Sequence, residues 1–120
     1  MMNNIVTIDV TGIHMYARHG VMPQEREVGN EFVVDLQLEY EAQEAIENDK
    51  LDGTINYAEA IEMVRKEMQE PGELLENVAG RIRSAIVKRW RGICGGYVRV
   101  SKPNAPVGAQ VDNVSVTLRF

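Results

Sequence analysis

The amino-acid sequence predicts an α+β domain, a four-stranded antiparallel sheet in the order β-β-α-α-β-β with two helices on one face. Two patterns lead to this fold class. Several segments alternate apolar and polar residues, which is typical of strands with one buried face. Between them, two consecutive segments repeat apolar residues at helical spacing. The 120 residues fit one domain, which we take as residues 1–120.

The first half of the chain contains two predicted strands. Apolar residues at every second position from 6 to 10 predict the first, and their phase shifts at Gly12, which predicts a β-bulge. The second runs over residues 32–40, with Phe32, Val34, Leu36, Leu38 and Tyr40 on one face. Residues 21–30 are predicted to be a polar connection, and residues 42–48 a short helical turn.

Two helices follow. Asn56 predicts an N-cap, and Pro71 with Gly72 predicts the end of the first helix. Its predicted apolar positions are Ala58, Ile61, Val64 and Met68. The second helix is predicted to begin at about Leu74, and its apolar stripe is Leu75, Val78, Ala79, Ile82, Ala85, Ile86 and Trp90. Three glycines are predicted to end it: Gly92, Gly95 and Gly96.

Alternation around Val98 and Val100 predicts a third strand, and alternation over residues 114–120 predicts a fourth. The opposite sheet face is mixed and largely polar, with Thr7, Asp9, Asp35, Gln37, Arg99, Ser101, Ser115 and Thr117. The outer strands leave unpaired edges, which a second copy of the chain can cover. We therefore expect a homo-oligomer.

Composition excludes several classes of function. The net charge of −5 argues against nucleic acid as a partner, and the basic stretch 88–91 falls where cations complement a helix dipole. No apolar run approaches the roughly 20 residues of a membrane span. The N-terminus lacks the pattern of a signal peptide, so we expect a cytoplasmic protein. The single cysteine, Cys94, permits no intramolecular disulfide.

No metal site is predicted. His14 and His19 are five residues apart, a spacing that places them on opposite faces of a strand, and no third His or Cys supplements them. The acidic stretch 48–53 lacks the full ligand pattern of a calcium loop. We interpret it as a solvated loop.

Two short motifs in the first half of the chain carry candidate functional residues. Residues 19–29 contain Glu25, which on its own is most simply a surface charge after a strand. Residues 52–57 lead into a helix and end in Tyr57. A tyrosine in a first helical turn commonly packs against the core, but its hydroxyl is also a possible proton donor.

Two more motifs lie in the second half. Residues 74–79 open a helix, where Glu76 complements the helix dipole and free backbone N–H groups can bind a ligand. Residues 98–107 join a strand to a segment with two prolines, which holds Lys102 at the end of the strand. A lysine in this position is usually a solvated charge.

Together, the order and spacing of the four motifs resemble dihydroneopterin aldolase of folate biosynthesis, from about Ile5 to Arg119. The elements that carry the resemblance are His19-Gly20 with Glu25, Gly29-Asn30-Glu31-Phe32, Asp52-Gly53-Thr54-Ile55-Asn56-Tyr57, Leu74-Leu75-Glu76 and Lys102-Pro103-Asn104-Ala105-Pro106. One position departs from the pattern. Many relatives have Gln where this chain has Asn30, which is one methylene shorter.

The resemblance implies an aldehyde-lyase that needs no metal and no cofactor. Its reaction would be retro-aldol cleavage of 7,8-dihydroneopterin, a small pterin, to 6-hydroxymethyl-7,8-dihydropterin and glycolaldehyde. It also implies the tunnelling fold, in which subunits join their sheets into a barrel, typically a ring of four or an octamer of two rings, with sites at the subunit interfaces.

The resemblance also assigns roles. Glu76 and the backbone near Leu75 would hold the amino-pyrimidinone edge of the pterin, and Ile55 and Tyr57 would also contact the substrate. A carboxylate suits this task because it accepts two parallel N–H bonds.

Three residues would carry the proton transfers. Lys102 would deprotonate the substrate's side-chain hydroxyl, with Glu25 positioning it, and Tyr57 from a neighbouring subunit would handle the proton on the enol-like intermediate. The conjugated ring can hold the electrons of the broken bond, so we expect Lys102 to be a base or proton relay and not a Schiff-base nucleophile.

Three alternatives remain. A dihydroneopterin or dihydroneopterin triphosphate epimerase of the same fold could share the retro-aldol intermediate and the same residues. Pyruvoyl-tetrahydropterin synthase, of the same fold, needs three metal-binding histidines, and this chain has two. A non-catalytic oligomeric α+β module would explain the sheet but not the co-occurrence of the four motifs.

Overall fold

The computed structural model describes residues 2–120. Within that range the strands are β1 (Ile5–Ala17), β2 (Asn30–Glu41), β3 (Ile93–Lys102) and β4 (Val114–Arg119). The α-helices are α1 (Pro23–Val28), α2 (Gln43–Asn48), α3 (Tyr57–Gln69) and α4 (Leu75–Arg89), and a short 3-10 helix spans Leu51–Gly53. The strands form one antiparallel sheet in the order β1-β2-β3-β4, which confirms the predicted fold class.

The core lies between one face of this sheet and the two long helices. Every second residue of β2 from Phe32 to Tyr40 is buried, as its alternation predicted. Helix α3 contacts β1, whereas α4 contacts β3 and β4. The fully buried residues that these helices contribute are Ala60, Val64, Met68, Val78, Ala79, Ile82 and Ile86. The apolar stripes of the sequence therefore meet in a single core.

Two local predictions, a β-bulge in β1 and an N-cap of α3, are confirmed. The pairing of β1 with β2 shifts between Val10 and Ile13, and Gly12 takes a φ of 74° that favours glycine, so the bulge is confirmed. The Oδ1 atom of Asn56 accepts hydrogen bonds from the first N–H groups of α3 at 3.1 and 3.4 Å, which confirms the N-cap.

The predicted polar connection over residues 21–30 contains a helix that the sequence did not predict, because residues 23–28 form α1. Proline is the first residue of α1, where its missing N–H is not needed. Helix α1 buries no residue fully, so it has no apolar stripe from which periodicity could have predicted it.

Two further predictions need correction. Ala58 is exposed and Ile61 only half-buried, whereas Ala60 is buried, because the face that α3 turns to the sheet is rotated from the predicted one. Gly95 and Gly96 do not end α4: they lie in β3, where they pair with Glu39 and Leu38.

Strands β1 and β4 are the two edges of the sheet among residues 2–120. In the same range, no helix combines the length and the apolar character that crossing a membrane requires. That part of the chain also contains no group of three His, Cys, Asp or Glu side chains arranged to hold a metal ion.

Candidate active site

Lys102 is the last residue of β3, and it is not a solvated charge. Its side chain is 11% exposed, and its Nζ donates a hydrogen bond to Oε2 of Glu25 at 2.7 Å. The same Nζ lies 5.7 Å from the centroid of the Phe32 ring. Proline follows at position 103 and stiffens the chain just beyond the lysine. The amino group is therefore held in one place by a carboxylate and an aromatic ring.

Glu25 reaches this lysine from α1, and its side chain is 16% exposed. The hydrogen bond from Lys102 lowers the pKa of Glu25, burial opposes this, and the N–H of Met22, 3.3 Å from Oε1, lowers it further. A Cβ atom on Gly20 would overlap the Glu25 side chain, so glycine is needed for this approach. Glu25 is thus a carboxylate paired with Lys102.

The start of α4 lies at the same end of the sheet. The turn that precedes α4 is hydrogen-bonded to the residues that follow β1: the N–H of Gly20 donates to the carbonyl of Gly72 at 2.9 Å. Leu75 is buried and anchors the first turn of α4. Glu76 follows it and is exposed. Two predicted binding residues are therefore near the Lys102 end of the fold.

Tyr57 and Ile55 lie at the opposite end. The Tyr40 hydroxyl is hydrogen-bonded to Thr54, and Tyr40 pairs with Ile93 at the start of β3, whereas Lys102 is at its end. The 13 residues of α3 separate the two ends by about 20 Å. Ile55 is buried, but Tyr57 is 62% exposed. A single chain therefore does not bring Tyr57 to Lys102.

Asn30 makes a contact that sequence patterns did not reveal. Its Nδ2 donates to the carbonyl of Asn104 at 2.9 Å, while its Oδ1 accepts from the N–H of Glu31 at 2.8 Å. Among residues 2–120, this is the one hydrogen bond that ties the segment 103–113 to another part of the chain outside the strand pairing. The side chain of Asn30, although shorter than the Gln of many relatives, therefore anchors the segment that follows Lys102.

His19 and Arg26 also have roles that the sequence did not predict. His19 was considered only as a metal ligand, yet it is buried and accepts a hydrogen bond from Gly72. Arg26 donates to the carbonyls of Gly20 and Val21 at 2.7 and 2.8 Å. The only available signal was that both belong to the motif around Glu25.

Comparison with known proteins identifies the family of the chain. The family model described as "FolB: Dihydroneopterin aldolase" matches residues 8–119. The chain belongs to the dihydroneopterin aldolase family. The dihydroneopterin aldolase of Bacillus subtilis (strain 168) is 32% identical over 110 residues, covering 91% of this chain and 92% of that one. That of Streptomyces coelicolor is 35% identical over 112 residues, covering 92% and 93%.

Solved structures give the same result for the fold of this dihydroneopterin aldolase family member. Escherichia coli dihydroneopterin aldolase, determined in complex with neopterin, superposes with a TM-score of 0.86 at 20% identity, covering 96% of this chain and 98% of that one. A putative dihydroneopterin aldolase from Vibrio cholerae has a TM-score of 0.85 at 21% identity, covering 96% of each chain. The family, the four-stranded α+β fold of a tunnelling-fold subunit and the aldehyde-lyase class that the four motifs implied are thereby confirmed.

Proposed function

We propose that this chain cleaves 7,8-dihydroneopterin by a retro-aldol reaction to 6-hydroxymethyl-7,8-dihydropterin and glycolaldehyde, without a metal or cofactor. The observation that carries the proposal is the largely buried pair of Lys102 Nζ and Glu25 Oε2, 2.7 Å apart. A pair of this kind can accept and return a proton away from bulk water. Membership of the dihydroneopterin aldolase family supports the choice of substrate.

The start of α4 binds the pterin ring. The Glu76 carboxylate accepts two N–H bonds from the 2-amino-pyrimidinone edge, which orients the ring as well as binding it. Backbone N–H groups near Leu75 serve the ring oxygen, because the first N–H groups of a helix have no partner within the helix. The exposure of Glu76 and the burial of Leu75 support this division of roles.

The reaction begins with proton transfer at the substrate's side chain. Lys102 acts in its neutral amine form: hydrogen-bonded to Glu25, it takes the proton from the hydroxyl of the second side-chain carbon through a water molecule. That carbon becomes the carbonyl of glycolaldehyde as its bond to the first side-chain carbon breaks. The bonding electrons move into the C6–N5 system of the ring and leave an enol-like intermediate. No covalent bond to the lysine is needed.

Tyr57 of a second copy completes the site. The intermediate must gain one proton at the first side-chain carbon to become the hydroxymethyl product, and a tyrosine hydroxyl can donate it. Tyr57 is exposed and about 20 Å from the Lys102 end of its own chain, which supports a contribution between subunits. Ile55, two residues earlier, is buried in the core of the same copy and anchors the turn that presents Tyr57. The open edges of β1 and β4 support assembly into a ring or an octamer.

Product analysis tests the proposal. Purified protein is incubated with 7,8-dihydroneopterin, with and without EDTA, and the products are separated. Equal amounts of 6-hydroxymethyl-7,8-dihydropterin and glycolaldehyde are expected in both samples. A substrate that changes only the configuration of its side chain would indicate the epimerase instead. No product in either sample would leave a non-catalytic module.

The Lys102→Met variant tests the role of the lysine. We expect kcat to fall about 100- to 10,000-fold, the usual contribution of a positioned proton-transfer group. Lys66→Met, at an exposed lysine near the end of α3, is the matched control and should keep wild-type activity. An unchanged kcat in Lys102→Met would contradict the mechanism.

A further inference from the structure

His19 joins two segments that are far apart in sequence. The N–H of Gly72, in the turn between α3 and α4, donates to Nδ1 of His19 at 3.1 Å. In return, the N–H of Gly20 donates to the carbonyl of Gly72 at 2.9 Å. Both backbone groups of Gly72 are thus bound to consecutive residues after β1. We call this pair of hydrogen bonds the His19–Gly72 clasp.

The clasp lies between the two halves of the proposed site. Residue 20 contacts the Glu25 side chain, and the turn at residue 72 leads within three residues into Leu75 and α4. The His19 ring also packs edge-on against Phe32, with centroids 5.1 Å apart, and Phe32 is the ring over which Lys102 lies. The position of α4 relative to the Lys102–Glu25 pair therefore depends on residues that His19 contacts.

The chemical state of His19 suits a fixed role. Its side chain is 1% exposed, so it is not in contact with bulk water. Because Nδ1 accepts a hydrogen bond, the proton of the neutral ring is on Nε2, which is near the Met68 carbonyl but makes no hydrogen bond of normal geometry. Burial lowers the pKa of His19 to about 4, with smaller effects of the same sign from Arg81 and Lys102 and an opposing effect of the Met68 carbonyl. At neutral pH the ring is neutral and has no route for carrying protons to solvent.

We propose that His19 is a positioning residue for the aldolase reaction, holding the pterin-binding start of α4 in register with the Lys102–Glu25 pair through its Nδ1 acceptor. The inference rests on the proposed function, since it assigns Glu76 and Lys102 to one substrate. A loosened clasp lets α4 move relative to the lysine. Misplacement of reacting groups by about 1 Å costs about 100-fold in rate.

Substitutions of His19 distinguish the effect of its hydrogen-bond acceptor from the effect of the size and shape of its ring. His19→Asn keeps an oxygen acceptor close to the position of Nδ1, whereas His19→Gln moves the amide towards the position of Nε2. His19→Phe keeps a flat ring against Phe32 but removes the acceptor. His14→Asn, at an exposed histidine of β1, is the control for loss of a histidine elsewhere.

The test combines kcat and KM for 7,8-dihydroneopterin, the Kd of neopterin, the Tm and hydrogen exchange at the Gly72 amide. In His19→Phe we expect kcat/KM to fall about 10- to 100-fold and Gly72 exchange to accelerate, even if its Tm is unchanged. His19→Asn should stay within a few-fold of wild type, and His19→Gln should resemble His19→Phe. Equal activity of His19→Phe and wild type, or equal losses in His19→Asn and His19→Phe, would overturn the proposal.

The same experiment distinguishes failure of the proposed function. If wild type forms neither cleavage product, the proposed function fails, and the positioning role is judged by neopterin binding and Gly72 exchange. If His19→Phe binds neopterin more weakly than wild type and His19→Asn binds it as wild type does, the clasp is supported even without cleavage activity. Neopterin binding that is absent from wild type, or identical in all variants, overturns it.

Discussion

Burial changes what single titratable side chains do in this protein, and His19 and Glu25 are the clearest cases. The pKa of His19 is lowered to about 4 from 6.5, mainly by burial, and that of Glu25 is lowered mainly by its hydrogen bond from Lys102. In both cases the unfolded chain binds a proton more readily than the folded chain. Stability therefore falls as the pH falls, but over different ranges for the two groups.

His19 should dominate the loss of stability in mild acid. Between pH 6.5 and pH 4, His19 is protonated in the unfolded chain but not in the folded chain. The free energy of unfolding therefore falls by up to about 3 kcal/mol across this range. Glu25 contributes only below its unfolded value of 4.5, where stability is lost as the pH falls through its lowered folded pKa. Urea unfolding of wild type at pH 7, 6 and 5 should show a falling free energy. In His19→Asn the decline from pH 6.5 to 5 should be smaller; an identical decline would show that His19 is not the cause.

At the scale of elements, the segment between β3 and β4 depends on Asn30. The hydrogen bond from Asn30 Nδ2 to the Asn104 carbonyl anchors it beside Lys102. Removing one such bond costs about 1 kcal/mol. In Asn30→Ala we expect a loss of stability of that size, faster amide exchange in residues 103–113 and a lower kcat. Asn113→Ala, at the exposed far end of the segment, is the control; unchanged exchange in Asn30→Ala would exclude the anchoring role.

The long elements were predictable because each has a period that burial imposes. Phe32 to Tyr40 alternate because one face of β2 is buried, and Asn56 marks the start of α3 through its side-chain cap. Helix α1 was not predictable, since it buries no residue fully and is held by polar contacts of Glu25 and Arg26. The partner of Glu25, Lys102, is distant in sequence, and local patterns do not report such a contact.

The site was predictable in its residue types but not in its geometry. The motifs identified Glu25 and Lys102, and the family resemblance implied that Glu25 positions the lysine, but no local pattern indicated the hydrogen bond that joins them across 77 positions of sequence. The function of His19 was hidden for the same reason, because its partner Gly72 is in another turn. The spacing of motifs identifies candidate functional residues, whereas the tertiary fold determines which of these residues are in contact.

At the scale of the whole molecule, the proposed site is split between the two ends of the fold. Lys102, Glu25 and the start of α4 occupy one end, and Ile55 and the exposed Tyr57 occupy the other. One chain therefore has two half-sites that are complementary to each other. A closed ring of identical subunits would join each Lys102 end to the Tyr57 end of a neighbour. This arrangement is the central claim of the proposed mechanism.

Mixing two inactive variants tests that claim most directly. Lys102→Met and Tyr57→Phe are each expected to be nearly inactive alone. When they are co-expressed in equal amounts, random assembly should give about one quarter of the sites both wild-type residues, and kcat per site should recover to about one quarter of the wild-type value. A mixture of folded variants that is no more active than either variant alone would contradict a site shared between subunits.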